Sequence, residues 1–520
     1  MNKPFIFLFF ITIFFLVLII RLFQLTIVKG SYYRELSENN RLREIVIQPE
    51  RGEILDRKGF SLVKNTPADT SHLEKYLPSP RVYQLPEIIA PLIGYQQLAD
   101  QENLKNDNCQ HKLKPGEKVG KKGVEKLFDC DLRGIEGKML VEIDAKGKFL
   151  RLANLIPPKA GKQIKLSVDS ELQKKAYDLI KDKKAAIVAT NPKTGEVLAL
   201  VSTPSFNPQV FENADVKTIN KYFSDKNKPL FNRATEGVYP PGSLFKLIIA
   251  TAGLEEGAID EKTQIEDTGI LHAGSLTFGN WYYLQYGKTE GMVDIVKAIR
   301  RSNDIFFYKA GEKTGVEKIK KWAEIFGLGK TTGIGLDEEE GLIPSQFWKE
   351  ETIKDRWYLG DTYNLSIGQG YVGVTPLQMV MMTSVFANGG YLCQPELLKV
   401  QSSKFKVQNC KKLPISQKTL NLVREGMKEA CSGGGTGWPL FEFKIKKEKG
   451  KIELIQTACK TGTAETPNKT GQPHAWITVF APYENPEIAL TVLIEEGGQG
   501  SDVAGPIAKE LLKTYFERSQ

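Results

Sequence analysis

The stretch Tyr239-Pro240-Pro241-Gly242-Ser243-Leu244-Phe245-Lys246 delivers a serine to the mouth of a nearly all-apolar helix, Leu244 to Leu254, which ends before Gly257. A helix that is apolar on every face belongs inside a protein. In its first turn Ser243 and Lys246 fall on one face, so a hydroxyl and an amine come within reach of each other. The helix N-terminus adds unpaired N–H groups and positive potential, which favour a developing oxyanion. By itself Ser243 also reads as an ordinary N-cap, and only partners elsewhere in the chain separate the two readings.

Two such partners are present. Lys460 closes the alternating segment Lys451 to Cys459, and Thr461-Gly462-Thr463-Ala464 continues it, which predicts a strand at the edge of a cleft. The glycine there lets a substrate backbone come close. Ala475 to Pro482 and Ile488 to Glu495, joined by the turn Tyr483-Glu484-Asn485-Pro486, predict two more strands of an antiparallel sheet. Ser302-Asn303-Asp304 lies between the helical patterns Val293 to Ile299 and Asp304 to Lys309, where a capping serine is the competing reading. Short patterns recur by chance, and context removes the copies. Lys193-Thr194-Gly195 sits between the apolar runs Ala185 to Ala189 and Val197 to Val201 and reads as a hairpin turn; Gly315 stops a helix; Lys469 to Gly471 reads as a loop. Ser61 to Lys64 and Ser403 to Lys406 open no apolar helix.

The 520 residues, 41% apolar and 26% charged, suffice for two or three domains with a sizeable core. A net charge of +9 is dispersed rather than blocked, which argues against nucleic-acid binding and fits an anionic membrane or wall polymer. His72, His111, His272 and His474 are scattered, with no metal-binding spacing. Phe5 to Ile20 is apolar apart from Thr12 and resumes after Arg21 with Leu22 to Val28, the length a bilayer needs; no small-residue cleavage site follows, so an uncleaved single anchor is expected. Arg21, Lys29 and Arg34 outnumber Lys3, but long domains cross largely regardless of such flanks. Six cysteines suggest the local pairs Cys109 with Cys130, Cys393 with Cys410 and Cys431 with Cys459, suited to an oxidising compartment; buried free thiols are the alternative.

After the anchor come a helical stretch to about Asn40, an extended segment Leu42 to Leu62, a loop-rich excursion Gln96 to Lys126, strands near Met139 to Ile143 and Lys162 to Leu166, and a helix Ser170 to Ile180 capped by Asp169. From Leu166 the order of strands and helices is α+β, and this part carries all three motifs.

Together the motifs S-x-x-K, S-x-D and K-T-G-T resemble those of penicillin-binding proteins and class A β-lactamases. Arg51-Gly52-Glu53-Ile54-Leu55-Asp56-Arg57-Lys58-Gly59 is similar to the pedestal signature of class B penicillin-binding proteins. Gly368-Gln369-Gly370, Thr375-Pro376-Leu377-Gln378 and Lys460 to Glu465 resemble their transpeptidase domain. Ser302 to Tyr308, Phe326-Gly327-Leu328-Gly329 and Ile343-Pro344-Ser345 look most like the elongation and cell-shape branch, the septal branch being the alternative. The resemblance implies an N-terminal anchor (1–29), a small extended pedestal of the dimerisation type with a reduced head (30–165), and a transpeptidase domain of the penicillin-binding and serine β-lactamase type, an antiparallel sheet packed with helices (166–520).

The implied activity is peptidoglycan D,D-transpeptidation through a serine acyl-enzyme, without a metal or cofactor, by a single-pass cell-membrane protein with an extracytoplasmic catalytic domain. Stem peptides would be substrates, β-lactams covalent inhibitors, and a polytopic glycan polymerase of the elongation machinery a partner; nucleic acid would not be. Ser243 would attack, with neutral Lys246 as base, its pKa lowered by burial and by Lys460 as a second cation. Ser302 with Lys460 would relay a proton to the leaving D-alanine. Ser243 and Thr463 N–H groups would form the oxyanion hole, and Thr461 and Thr463 hydroxyls, beside Gly462, would hold the substrate carboxylate. Asp304 stands where most relatives have Asn, and an ionised Asp only accepts hydrogen bonds, so a substrate contact there would lack the amide donor. Between Ser302 and Lys460 no E-x-x-L-N stretch supplies the deacylating base of a class A β-lactamase. A D,D-carboxypeptidase shares the trio, and a non-catalytic β-lactam sensor or wall-binding scaffold would keep Ser243 and Lys246.

Overall fold

The computed structural model describes residues 3–66, 79–144, 146–399, 409–447, 450–466 and 471–518. Ser403 to Lys406 and Lys469-Thr470 lie outside these. The chain divides into two compact units, residues 1–52, 65–80 and 130–162 in the first, and 53–64, 81–129 and 163–520 in the second.

In the first unit helix α1 (Lys3–Phe23) continues through a π-turn to Val28, and α2 (Gly30–Arg41) follows. The span Lys3–Val28 is long and apolar enough to cross a membrane, and its apolar stretch is not buried against the rest of the described residues. Strands β1 (Leu42–Ile47), β2 (Gly137–Ile143) and β3 (Phe149–Ile156) form an antiparallel sheet in the order β1-β2-β3. Ile47, Met139, Val141 and Ile143 make its small core. The expected extended segment is thus interrupted: after β1 the next strands are only Ile54–Leu55 and Ser61–Asn65.

The second unit is built on a five-stranded antiparallel sheet. Asp169 accepts from the Glu171 and Leu172 N–H groups, starting α3 (Ser170–Ile180) where the sequence places it. Strands β4 (Ala185–Thr190) and β5 (Val197–Thr203) form a hairpin closed by Lys193-Thr194-Gly195, with Gly195 at φ +77°. Helices α4 (Lys246–Glu255), α5 (Ile295–Arg301), α6 (Asp304–Thr314), α7 (Pro376–Ala387) and α8 (Gln417–Ala430) follow, then β6 (Ala458–Ala464), β7 (His474–Ala481), β8 (Ile488–Ile494) and α9 (Gly505–Arg518). The sheet order is β5-β4-β8-β7-β6, so β6 is an edge. One face of the sheet packs with α3, α9 and the C-terminal end of α8 around Ile187, Val201, Ile477, Val479 and Leu490. Helix α7, buried along its whole length, sits against the other.

Three expectations are corrected. Lys451 to Cys459 is not one strand: Ile452–Leu454 pairs with Lys444–Lys446, and the chain breaks at Ile455 to Thr457 before β6 starts. The Ile455 N–H bonds Phe443 O while the Gln456 carbonyl takes the Tyr483 N–H, so two different neighbours claim consecutive residues. The pattern Val293 to Ile299 begins two residues early, because Asp294 accepts from the Lys297 N–H and sets the helix start at Ile295. Gln96 to Lys126 holds more than loops, with strands Gln96–Leu98 and Lys118–Gly120 and helices Gln101–Asn106 and Gly123–Leu127. Cys393 is bonded to Cys410 and Cys431 to Cys459, and none of the six cysteines is free.

Candidate active site

Ser243 occupies a 3-10 turn, Gly242–Phe245, that leads straight into α4. Its position is set from both sides. The Gly242 N–H donates to Gly368 O (2.9 Å), and Tyr239 exchanges two 2.9 Å backbone bonds with Val374. This gives Gly368-Gln369-Gly370 and the capping box Thr375–Gln378 of α7 their purpose, since they hold the segment before the serine. On the other side β6 comes close: a Cβ on Gly462 would stand 2.5 Å from Leu244 Cδ1 and 3.1 Å from Pro241 O, and one on Gly242 would stand 3.0 Å from Thr463 O. Only glycine permits two backbones this near.

Lys246 is fully buried and points to the α5–α6 connection. Its Nζ donates to Ser302 O (2.8 Å), Ser302 Oγ (3.2 Å) and Asp304 Oδ1 (2.6 Å), and lies 5.5 Å from the centre of the Phe307 ring. Lys460, also fully buried, donates to Ser302 Oγ (2.8 Å) and Thr461 O (3.0 Å). Ser302 Oγ therefore stands between the two amines. Ser302 is left-handed, φ 53° and ψ 39°, a conformation that costs a non-glycine residue about 1 kcal/mol or more and, with Asn303, turns α5 into α6. The three motifs, far apart in sequence, thus meet at one point. Among the described residues Ser243 Oγ has no hydrogen-bond partner, so the expected reach between Ser243 and Lys246 is not a hydrogen bond.

Burial pulls the Lys246 ammonium below its ordinary pKa, and the Asp304 carboxylate opposes the pull. Lys460 is held well below its ordinary value, first by burial and then by the Lys246 charge. The repulsion between the two amines is mutual, and Asp304, in contact with Lys246, favours the charge on that side.

Asp304, expected to face substrate, has both carboxylate oxygens taken by protein donors, Oδ1 by Lys246 and Oδ2 by the Trp281 N–H (2.8 Å). The polar residues around it went unrecognised in the sequence. Asp267 Oδ2 accepts from Asn280 Nδ2 (2.8 Å), the Glu290 N–H (2.9 Å) and Asn303 Nδ2 (3.0 Å), and Asn280 Oδ1 accepts from the Asp304 N–H (3.2 Å). No spacing rule links residues 267–290 to the motif; they reach it through the small ribbons Ile265–Asp267 with Gly291–Val293 and Ile270–Ala273 with Leu276–Gly279. Thr461 and Thr463 hydroxyls donate to Thr436 Oγ1 (2.8 Å) and Gln499 Oε1 (3.0 Å). Cys459 points into the core on the face of β6 opposite Lys460, where its bridge to Cys431 ties the end of α8 to the strand, with Cα atoms 5.8 Å apart.

Residues 185–513 match the penicillin-binding protein transpeptidase domain, and residues 69–166 the penicillin-binding protein dimerisation domain. The chain is 30% identical to the peptidoglycan D,D-transpeptidase MrdA of Haemophilus influenzae, over 96% of this chain and 89% of that one. It is 31% identical to Pseudomonas aeruginosa PBP2, solved in complex with WCK 5153, with a TM-score of 0.76 over 91% of this chain and 96% of the other. With a chain from a solved peptidoglycan synthase complex, described as coordinating polymerization and crosslinking, it shares 28% identity and a TM-score of 0.78 over 99% of this chain and 98% of the other.

Proposed function

Because this chain belongs to the penicillin-binding protein transpeptidase family, on its elongation-type PBP2 branch, we propose that Ser243 is the nucleophile of a peptidoglycan D,D-transpeptidase. The enzyme cross-links stem peptides through a serine acyl-enzyme during wall elongation and is a target of β-lactams. One observation carries the residue assignment: Ser302 Oγ lies 2.8 Å from Lys460 Nζ and 3.2 Å from Lys246 Nζ, one helical turn from Ser243.

In this reading Lys246, in its neutral form, takes the Ser243 proton as Oγ attacks the D-Ala-D-Ala carbonyl. The Ser243 and Thr463 N–H groups receive the oxyanion, each worth about 3 to 4 kcal/mol to the transition state in comparable sites. Ser302, backed by Lys460, returns a proton to the departing D-alanine. Thr461 and Thr463 exchange their resting partners, Thr436 and Gln499, for the substrate carboxylate, and Gly462 leaves room for the substrate backbone. A cross-strand amine then resolves the acyl-enzyme.

We assign residues 1–29 to the anchor, 30–165 to the pedestal and 166–520 to the transpeptidase domain, supported by the apolar span Lys3–Val28 and by the two family matches. The catalytic domain is placed outside the cytoplasm, where stem peptides are. The peptidoglycan synthase assembly that contains a related chain supports a glycan polymerase as partner. Labelled penicillin followed by peptide mapping tests the nucleophile, and product analysis on paired stem peptides tests transfer against hydrolysis. A label away from Ser243, or hydrolysis alone, would contradict this reading.

A further inference from the structure

Lys246 has three N–H donors as an ammonium, and the structure gives it three acceptors, one of them a carboxylate at 2.6 Å. Among the described residues Lys460 donates to a carbonyl and a hydroxyl and has no carboxylate within hydrogen-bond reach. Burial is complete at both amines, so the difference between them is Asp304. The charged groups acting on Lys246 are Asp304 at the start of α6 and, from farther off, Glu290; Lys460 on β6 is the other amine, and the Phe307 ring closes the site. Two buried amines that share one hydroxyl hold one proton far more readily than two. The resting arrangement is then Lys246 charged and Lys460 neutral, with the Ser302 hydroxyl donating to the Lys460 lone pair and accepting from Lys246.

We propose that Asp304 is a positioning residue that parks the shared proton on Lys246, so that the base is armed only when a ligand carboxylate settles beside Lys460. The proposal rests on the roles given above to Ser243, Lys246 and Lys460. A carboxylate held by Thr461 and Thr463 makes a cation at Lys460 favourable. Lys246 then passes one proton to Ser302 Oγ as the Ser302 hydroxyl proton passes to Lys460. Ser302 stays neutral, Lys460 becomes the ammonium, and Lys246 is left with the lone pair that receives the Ser243 proton. No proton is gained or lost. A ligand without a carboxylate leaves Lys246 to lose its proton to solvent against the pull of Asp304, which needs higher pH.

The test measures second-order acylation of the full-length chain in detergent between pH 5.5 and 10, with a penicillin and with its methyl ester. Carboxylate binding alone changes the size of the rate, whereas the proposal moves its pH dependence. In the unsubstituted protein the rise of rate with pH for the ester should lie at least about one unit above that for the free acid, a tenfold difference at a given pH on the limb. Asp304→Asn should bring the ester limb down toward the free-acid limb and shrink the acid-to-ester rate ratio about fivefold or more, while Asp304→Glu should keep both features of the parent. Coincident limbs in the unsubstituted protein would overturn the proposal, as would an unchanged ratio in an Asn variant that still labels at Ser243. If the Asn variant does not fold, the two limbs of the unsubstituted protein decide. Failure of both ligands to label Ser243 at any pH is a different result, which overturns the underlying assignment and this proposal with it.

Discussion

Gly368, at φ +72°, lies so close to Gly242 that a Cβ on it would stand 2.1 Å from the Gly242 carbonyl oxygen. The residue before Ser243 is thereby held by a backbone contact that no side chain can share. Gly242 is itself left-handed at φ +53°, so the serine enters its helix from a bend that two glycines define.

Gly368→Ala should therefore disable the enzyme although it touches no reacting atom. Both the positive φ and the backbone clash oppose the methyl group, and about 2 to 3 kcal/mol of stability should be lost. Chemical denaturation measures this, and penicillin acylation should slow in the fraction that remains folded. A variant with parental stability and acylation would show that the contact is not rigid.

Ser243→Ala should abolish covalent penicillin labelling with a change in stability within about 0.5 kcal/mol, because the hydroxyl has no hydrogen bond to lose among the described residues. Labelling at normal stoichiometry would remove Ser243 from its role.

Lys246→Arg keeps a cation beside Asp304 but loses the proton acceptor, since guanidinium stays charged. Acylation should fall about 100-fold or more at neutral pH. In the parent, Lys246 sits below its ordinary pKa, so acylation should rise through a pH below the usual lysine range and stay high above it. The variant should show no such rise, and rates within a few-fold of the parent would identify a different base.

Removing the Cys431–Cys459 bridge by a double Cys→Ser change should cost about 3 to 4 kcal/mol, from the chain entropy of its 28-residue separation. Mass spectrometry of protein alkylated before reduction should find neither thiol free. A loss of stability without loss of acylation would limit the bridge to a structural role, whereas a slower acylation in folded protein would show that it also fixes the register of β6.

Much of the site could be read from the chain because the chemistry resides in short patterns whose flanks betray their structure. Tyr239 to Gly242 and the apolar run after Ser243 predict a buried helix with a serine at its mouth, and Asp169 predicts its helix start to the residue. Local periodicity could not show which groups Asp304 faces. Its partners Trp281 and Asn280 open the six-residue helix Trp281–Tyr286, and Asp267, which holds Asn280 and Asn303, ends a strand of three residues, all too short for a hydrophobic period to register. Thr436 and Gln499 were hidden for a related reason: each lies in a connection, and nothing in a single sequence links a connection to the strand it will touch. The break at Ile455 to Thr457 arises from tertiary competition for backbone bonds, which an alternating pattern does not record.

Strand β6 closes the five-stranded sheet on one side, and among the described residues β7 is its ladder partner there. A strand in that place keeps a row of backbone donors and acceptors that its own sheet does not use, and in most proteins such a row invites unwanted pairing and aggregation. Here it runs past Lys460, Thr461 and Thr463. An extended peptide laid along it would be measured against the strand's 3.4 Å rise before any side chain is inspected. On the proposed reading, such a rail would set where a substrate's last peptide bond lies by backbone alone, and so would tie reactivity to the distance from a chain end more than to the identity of the residues beyond it.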